Sequence, residues 1–234
     1  MRTAVVGVSV GSVAGLMAYA VRGPSSRVFG PSVCRGVESR RSVALTFDDG
    51  PSESTPKILE ILDMHRVRAT FFQCGANIRR IASVAREVEA AGHEIGNHSD
   101  SHPLCCFQSA PSILDEFRRA QGTIEEVLRV RPTLVRAPFG VRWFGFREMQ
   151  RRLNLLGVMW TVLGKDWSQP AGAIAARVLG KVRPGAIVCL HDGRELRERP
   201  AIRATVEAVR RIVPALSARG YHFETVSEIL CPTN

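Results

Sequence analysis

Strand-length apolar runs alternate with longer segments of helical period along almost all of this 234-residue chain, and that alternation constrains the fold more than any other feature. Candidate strands are Val43–Phe47, Ala69–Cys74, Glu94–Asn97, Thr133–Arg136, Val158–Val162, Ala186–Leu190 and Tyr221–Thr225. Between them Thr55–Arg66, Asn77–Ala91, Ser112–Arg129, Trp143–Leu156, Ala171–Val182 and Ala201–Arg219 read as helices. The first helix shows a start signal, with Ser54 or Thr55 as N-cap and Pro56 in the first turn. Gly92, Gly157 and Gly220 stand where helices tend to stop. Strand–helix units repeated in this way imply a parallel sheet with crossover helices, either an open doubly wound sheet or a closed barrel. The length suits one sizeable core and is short for two.

In both architectures chemistry collects at the carboxyl ends of the strands. The polar clusters fall there: Asp48-Asp49, His98 to His102, Arg136 to Gly140, Asp166-Trp167 and His191-Asp192 each follow a candidate strand. Two adjacent carboxylates at the edge of a core repel one another, so something must compensate their charge. Two of only six histidines, His98 and His102, lie four apart on the same rim. By itself that spacing is weak, and so is an Asx-type turn as an explanation of Asp48-Asp49. Together, two histidines and one carboxylate form a facial set that holds a metal and leaves positions open. The second carboxylate is then free to take a proton from a water, so the pair divides into one ligand and one base. His191, after a buried strand and beside a carboxylate, suits a general acid. The same ligand set serves non-haem iron oxygenases, but those need a co-substrate site for which the sequence offers no candidate.

Composition bounds the partners. The chain is 45% hydrophobic and 23% charged, as ordinary globular proteins are. Its net charge is +10, and of 32 basic residues only Lys57, Lys165 and Lys181 are lysine. Such a surface suits anionic surroundings. Nucleic-acid binding would call for clustered basic residues with interleaved aromatics, whereas here the arginines are scattered and no nucleic-acid partner is expected. Residues 1–22 are uncharged between Arg2 and Arg22 and end in Ala18-Tyr19-Ala20, the small-x-small form of a signal peptidase site. They are expected to be a signal peptide or an N-terminal membrane anchor, residues 23–40 a linker, and residues 41–234 the catalytic domain. The catalytic domain is then exported or anchored outside the cytoplasm. The six cysteines contain no CxxC pair, which argues against a zinc ribbon. Cys74 and Cys189 read as small buried hydrophobes; export would permit one or two disulfides.

TFDDG (46–50), HSDSH (98–102), RAPFG (136–140), DW (166–167) and LHD (190–192) stand in the order and rough spacing of the five motifs of the polysaccharide deacetylases, carbohydrate esterase family 4. From about residue 41 to 230 the chain resembles this chitooligosaccharide deacetylase homology domain. The resemblance implies a distorted (β/α) barrel of about seven units. It implies a divalent metal, most often Zn2+ with Co2+ or another divalent ion as substitutes, held by Asp49, His98 and His102. Asp48 would be the general base, held by Arg136, and His191 the general acid, oriented by Asp166. The backbone N–H of Phe139, after Pro138, would meet the oxyanion. Trp167 and Leu190 would line the pocket for the acetyl methyl group. The implied reaction is removal of N-acetyl groups from an N-acetylglucosamine-containing glycan, peptidoglycan or a chitin-type oligomer, by a monomer; acetylxylan, a small amide, or a non-catalytic wall-binding role on the same fold are the alternatives. Leu163 stands where the fourth motif often has an acid, and Cys105-Cys106 follow the second motif where polar residues are usual.

Overall fold

The computed structural model describes residues 10–231. Nine strands form one sheet: β1 (Ser32–Val33), β2 (Ser42–Gly50), β3 (Thr70–Gln73), β4 (Glu94–Asn97), β5 (Leu134–Val135), β6 (Leu156–Val158), β7 (Val162–Leu163), β8 (Ala186–His191) and β9 (His222–Phe223). The order is β1-β6-β5-β4-β3-β2-β8-β7, with β9 on β2, and every ladder is parallel. The helices are α1 (Val10–Arg22), α2 (Thr55–Met64), α3 (Gly75–Arg80), α4 (Ala82–Ala90), α5 (Ala110–Leu128), α6 (Phe146–Leu153), α7 (Ala171–Lys181), α8 (Arg203–Ala218) and α9 (Val226–Leu230). The result is a distorted α/β barrel.

Closure comes from one segment. The single strand expected over Val158–Val162 is two short strands, β6 against β5 and β7 against β8. Residues 156–163 thus run from β6, next to the β1 edge, to β7 at the opposite edge of the sheet. The break between β6 and β7 is where the barrel departs from regular geometry, and Met159 and Trp160 there pack with Cys189.

Strand β2 shows why the sequence closes in this way. All nine of its residues are buried, and side chains alternate between two faces. Val43, Leu45 and Phe47 join the large cluster under α2, α7 and α8, with Ile58, Leu62, Ile174, Val209 and Ile212. Ala44, Thr46 and Asp48 point the other way, into the barrel. Its lower part is filled by Ala44, Phe72, Leu134, Val158 and Ile187, plugged by Val226 and Ile229 of α9. The upper part is polar and carries the site.

Several boundaries differ from expectation. The helix expected over Asn77–Ala91 is two, α3 and α4, broken at Ile81 (φ −135°, ψ 60°). Helix α6 stops at Leu153 because Asn154 takes the left-handed conformation at φ 54°, and Gly157 belongs to β6. Gly92 and Gly220 do adopt left-handed angles after α4 and α8. Residues 23–40, expected as linker, carry β1 and bury Ser26, Phe29 and Ser32. Helix α1 exposes Val13, Leu16, Met17 and Tyr19. Among the described residues no helix is long and apolar enough to cross a membrane. All six cysteines are free thiols, and Cys105 packs in a core with Ile113, Phe117 and Met149.

Candidate active site

Asp48 and Asp49 lie inside β2, not beyond it. In a regular strand adjacent side chains point to opposite faces. Here the register shifts between Asp48 and Gly50, and Asp49 has φ 69°. This bulge turns both carboxylates into one cavity of about 530 Å³.

Asp48 is held by Arg136, which is fully buried. Nη1 of Arg136 donates to Asp48 Oδ1 at 2.6 Å and to Thr46 Oγ1 at 2.7 Å. Its Nε and Nη2 donate to the carbonyls of Val158 and Met159 at 3.1 and 3.2 Å. Its guanidinium carbon sits 4.2 Å from the centre of the Phe72 ring. The break between β6 and β7 therefore supplies the two carbonyls that satisfy a buried cation, and the cation balances Asp48. The other carboxylate oxygen, Oδ2, lies 3.4 Å from Cys189 Sγ. Burial, aided by the Asp48 charge, pushes the Cys189 thiol well above its ordinary pKa, so it remains a protonated donor.

Asp49 meets the two histidines. Its Oδ1 is 3.2 Å from His98 Nε2 and 3.0 Å from His102 Nε2. Its Oδ2 accepts from the Glu195 N–H at 3.0 Å. Burial alone would raise this carboxyl, but the bonds from His102 and His98 outweigh it and hold it well below the usual range. His98 Nδ1 lies 2.9 Å from the Arg136 carbonyl. With a metal ion bound, donation from Nδ1 to that carbonyl would leave the Nε2 lone pair for the ion. The HSDSH loop is wound tightly, with Ser99 at φ 67° and His102 at φ 56°. Asn97 Oδ1 accepts from Ser99 N–H, and Ser99 Oγ from His102 N–H. The Asp100 carboxylate between the histidines turns outward to Arg79 at 2.7 Å.

The donor set fits a divalent ion. One oxygen and two nitrogens lie within 4.8 Å of one another and all three residues are buried. Tetrahedral zinc at ~2.0–2.1 Å from each donor would separate them by roughly 3.3 Å, close to the 3.0 and 3.2 Å found here.

On the neighbouring strand β8, beside Asp48, His191 Nδ1 is 2.8 Å from Asp166 Oδ1. Asp166 Oδ2 accepts from the His191 N–H at 2.9 Å and from Thr205 Oγ1 at 2.7 Å. Burial would lower the His191 pKa, but the charge and hydrogen bond of Asp166, then Asp49 and Asp48, raise it to about 9. Burial likewise opposes Asp166, whose pKa ends below its ordinary value because of His191 and Arg194. The imidazole is thus a cationic donor at neutral pH. The Trp167 ring stands edge-on to it with centroids 5.5 Å apart.

The structure brings Asp48, Asp49, His98, His102, Phe139, Trp167 and His191 to one cavity wall, with Arg136 and Asp166 directly behind. Two expected lining residues lie elsewhere. Leu190 is fully buried and faces the outer core with Ile174 and Val206, not the cavity. Strand alternation is the reason: in β8 Cys189 and His191 share the inward face, so Leu190 must face out. Pro138 is buried in the turn, and Phe139 and Gly140 line the cavity instead. Trp143 and Phe144 pack on Phe29. Sequence reasoning missed Cys189, Leu163 and Trp160 as cavity walls; counting back by two from His191 would have found Cys189. It placed Asp192 on the rim but gave it no role; burial pushes this carboxyl up to about 7, and its Oδ2 accepts from Thr55 Oγ1 at 2.6 Å.

Comparison with known proteins agrees with this geometry. The family model for polysaccharide deacetylase matches residues 35–158. The chain is 35% identical over 202 residues to a chitooligosaccharide deacetylase of Bradyrhizobium sp. (strain ANU 289), covering 82% of this chain and 92% of the relative. It is 34% identical to a peptidoglycan-N-acetylglucosamine deacetylase of Bacillus cereus, covering 82% of this chain and 69% of the relative. The crystal structure of the Bc1960 peptidoglycan N-acetylglucosamine deacetylase superposes with a TM-score of 0.80 at 30% identity, covering 85% of this chain and 92% of that one. The chain belongs to the polysaccharide deacetylase family, carbohydrate esterase family 4.

Proposed function

We propose that the chain is a metal-dependent hydrolase that removes N-acetyl groups from an N-acetylglucosamine-containing glycan and releases acetate. The observation that carries this is a base and an acid of opposite character side by side in one cavity, on neighbouring strands that pair Asp48 with His191. Asp48 is a buried carboxylate held by Arg136, and His191 is a cation held by Asp166. Amide hydrolysis needs that pair: one group takes a proton from the attacking water, the other gives one to the departing amine.

Asp49, His98 and His102 would hold the divalent ion, zinc being the one their donors suit best. When bound, that ion supplies a Lewis acid that lowers the pKa of a water and polarises the carbonyl. The chain's own groups do the rest. Asp48 Oδ2 receives the proton of the attacking water. The Phe139 N–H faces the developing oxyanion, where losing one such donor typically costs ~10²–10³ in rate. His191 Nε2 protonates the sugar nitrogen as the C–N bond breaks. Trp160, Leu163 and Cys189 form the apolar floor for the methyl group. An export signal or anchor in residues 1–22 together with a net charge of +10 would favour an anionic wall polymer, peptidoglycan, over neutral chitin oligomers.

The test is acetate release. Zinc-loaded protein is offered N-acetylglucosamine oligomers, peptidoglycan and acetylated xylan, with and without chelator. Chelator-sensitive release from peptidoglycan is expected. Release from xylan alone, or none from any glycan with one metal bound per chain, would overturn the reading.

A further inference from the structure

The segment joining α1 to β1 is fastened to the loop that carries Phe139. Arg142 is almost wholly buried and has no carboxylate partner among the described residues; its two Nη atoms donate to the carbonyls of Gly23 and Ser26, each at 2.6 Å. The Arg142 N–H donates to the Val21 carbonyl at 3.1 Å. Between these anchors Arg22 reaches back and donates from Nε to the Phe139 carbonyl at 3.0 Å, and Arg22 itself lines the cavity. Phe139 is held at φ 57°, a left-handed angle that is uncommon for a residue with a side chain. Its N–H donates to no backbone acceptor among the described residues. Such a conformation persists only where its surroundings over-determine it. Residues 21–26 precede the 35–158 span of the family match, so this brace belongs to the chain's own N-terminal segment.

We infer that Arg22 is a positioning residue for the reaction: its bond to the Phe139 carbonyl fixes the peptide plane at 139–140 and, through the rigid turn Pro138–Gly140, the direction in which the Phe139 N–H points. The carbonyl on one side of Phe139 is tied to Arg22. The histidine ring on the other side, His102, packs edge-on against the Phe139 ring with centroids 4.6 Å apart. A residue clamped at its carbonyl and at its ring has one way to present its N–H. A cut after Ala20 would leave Arg22, Gly23 and Ser26 in the chain. The inference rests on the reading above that the Phe139 N–H serves the oxyanion.

Arg22 is exposed, so its replacement does not threaten folding. Arg22→Ala, Arg22→Gln and wild type are compared on uncharged N-acetylglucosamine oligomers and by backbone hydrogen exchange at residues 139–141. A misplaced group of this kind can cost up to about 100-fold. The expected result for Arg22→Ala is a loss of kcat of roughly 10–100-fold, with KM and the melting temperature little changed. Exchange at Gly140 and Val141, whose N–H groups close the turn onto Ala137 and Pro138, should quicken. Arg22→Gln keeps a neutral donor and should recover most of both. Wild-type kcat in Arg22→Ala would overturn the proposal. A loss that Gln fails to restore would also overturn it, since charge rather than the bond to the carbonyl would then matter. If no glycan releases acetate with wild type, the functional reading fails; the exchange comparison still decides whether Arg22 holds the turn.

Discussion

Replacing Asp166 by asparagine removes one charge and almost no volume from behind the proposed acid. The asparagine oxygen can still accept from His191 Nδ1, so the ring keeps its orientation. What disappears is the leading group that raises His191 from 6.5 to about 9. The remaining contributors, Asp49 and Asp48, are smaller than Asp166, while burial, the largest effect and a lowering one, stays. His191 should therefore titrate at or below its ordinary value. At pH 8 a group of pKa about 9 is roughly nine-tenths protonated, whereas one of pKa about 6.5 is roughly one-thirtieth protonated, a loss of about 30-fold in the acid form. The assay is kcat/KM for acetate release from pH 5.5 to 9.5. In wild type the alkaline limb falls near pH 9. In Asp166→Asn it moves to near neutrality or lower, so the deficit is large at pH 8 and shrinks as the pH is brought below 6.5. The sign is fixed: the acid must be protonated to work, and lowering its pKa harms the high-pH side only. A uniform loss at every pH, with parallel profiles, would refute the assignment of Asp166 as the group that tunes His191.

Leu190→Ala should cost about 2–5 kcal/mol in urea unfolding with KM nearly unchanged, because Leu190 fills the outer core and not the cavity. A rise in KM without loss of stability would return it to the substrate pocket. Gly50→Ala should destabilise by about 1–3 kcal/mol and lower activity, since a Cβ there would stand 2.2 Å from Asp192 Oδ2 on the strand that carries both aspartates; wild-type stability would show that Asp192 can move aside.

Much of this site was legible in the sequence, for a physical reason. Reactive groups at strand ends are close in sequence to apolar runs that must be buried, so the sequence alone puts Asp48, His98, Arg136, Asp166 and His191 on one rim. Facing was harder. The bulge at Asp49 and the inward turn of Cys189 depend on register, and a change of one residue sends a side chain to the opposite face. Expecting Leu190 in the pocket failed on that point. The break at Met159–Thr161 was hidden because both halves are apolar, whereas in the fold the Val158 and Met159 carbonyls there accept from Arg136. The N-terminal brace was invisible because Gly, Pro and Ser read as linker, while the partner that orders them, Arg142, lies more than a hundred residues away.

The central claim is the division of labour between two neighbouring carboxylates, and metal content measured alongside acetate release tests it most directly. Asp48→Asn should bind about one divalent ion per chain, as wild type should, and release no acetate. Asp49→Ala should lose the ion, because Asp49 Oδ1 is the one oxygen that meets both His98 and His102. An Asp48→Asn protein that loses its metal, or an Asp49→Ala protein that keeps metal and turnover, would contradict the account.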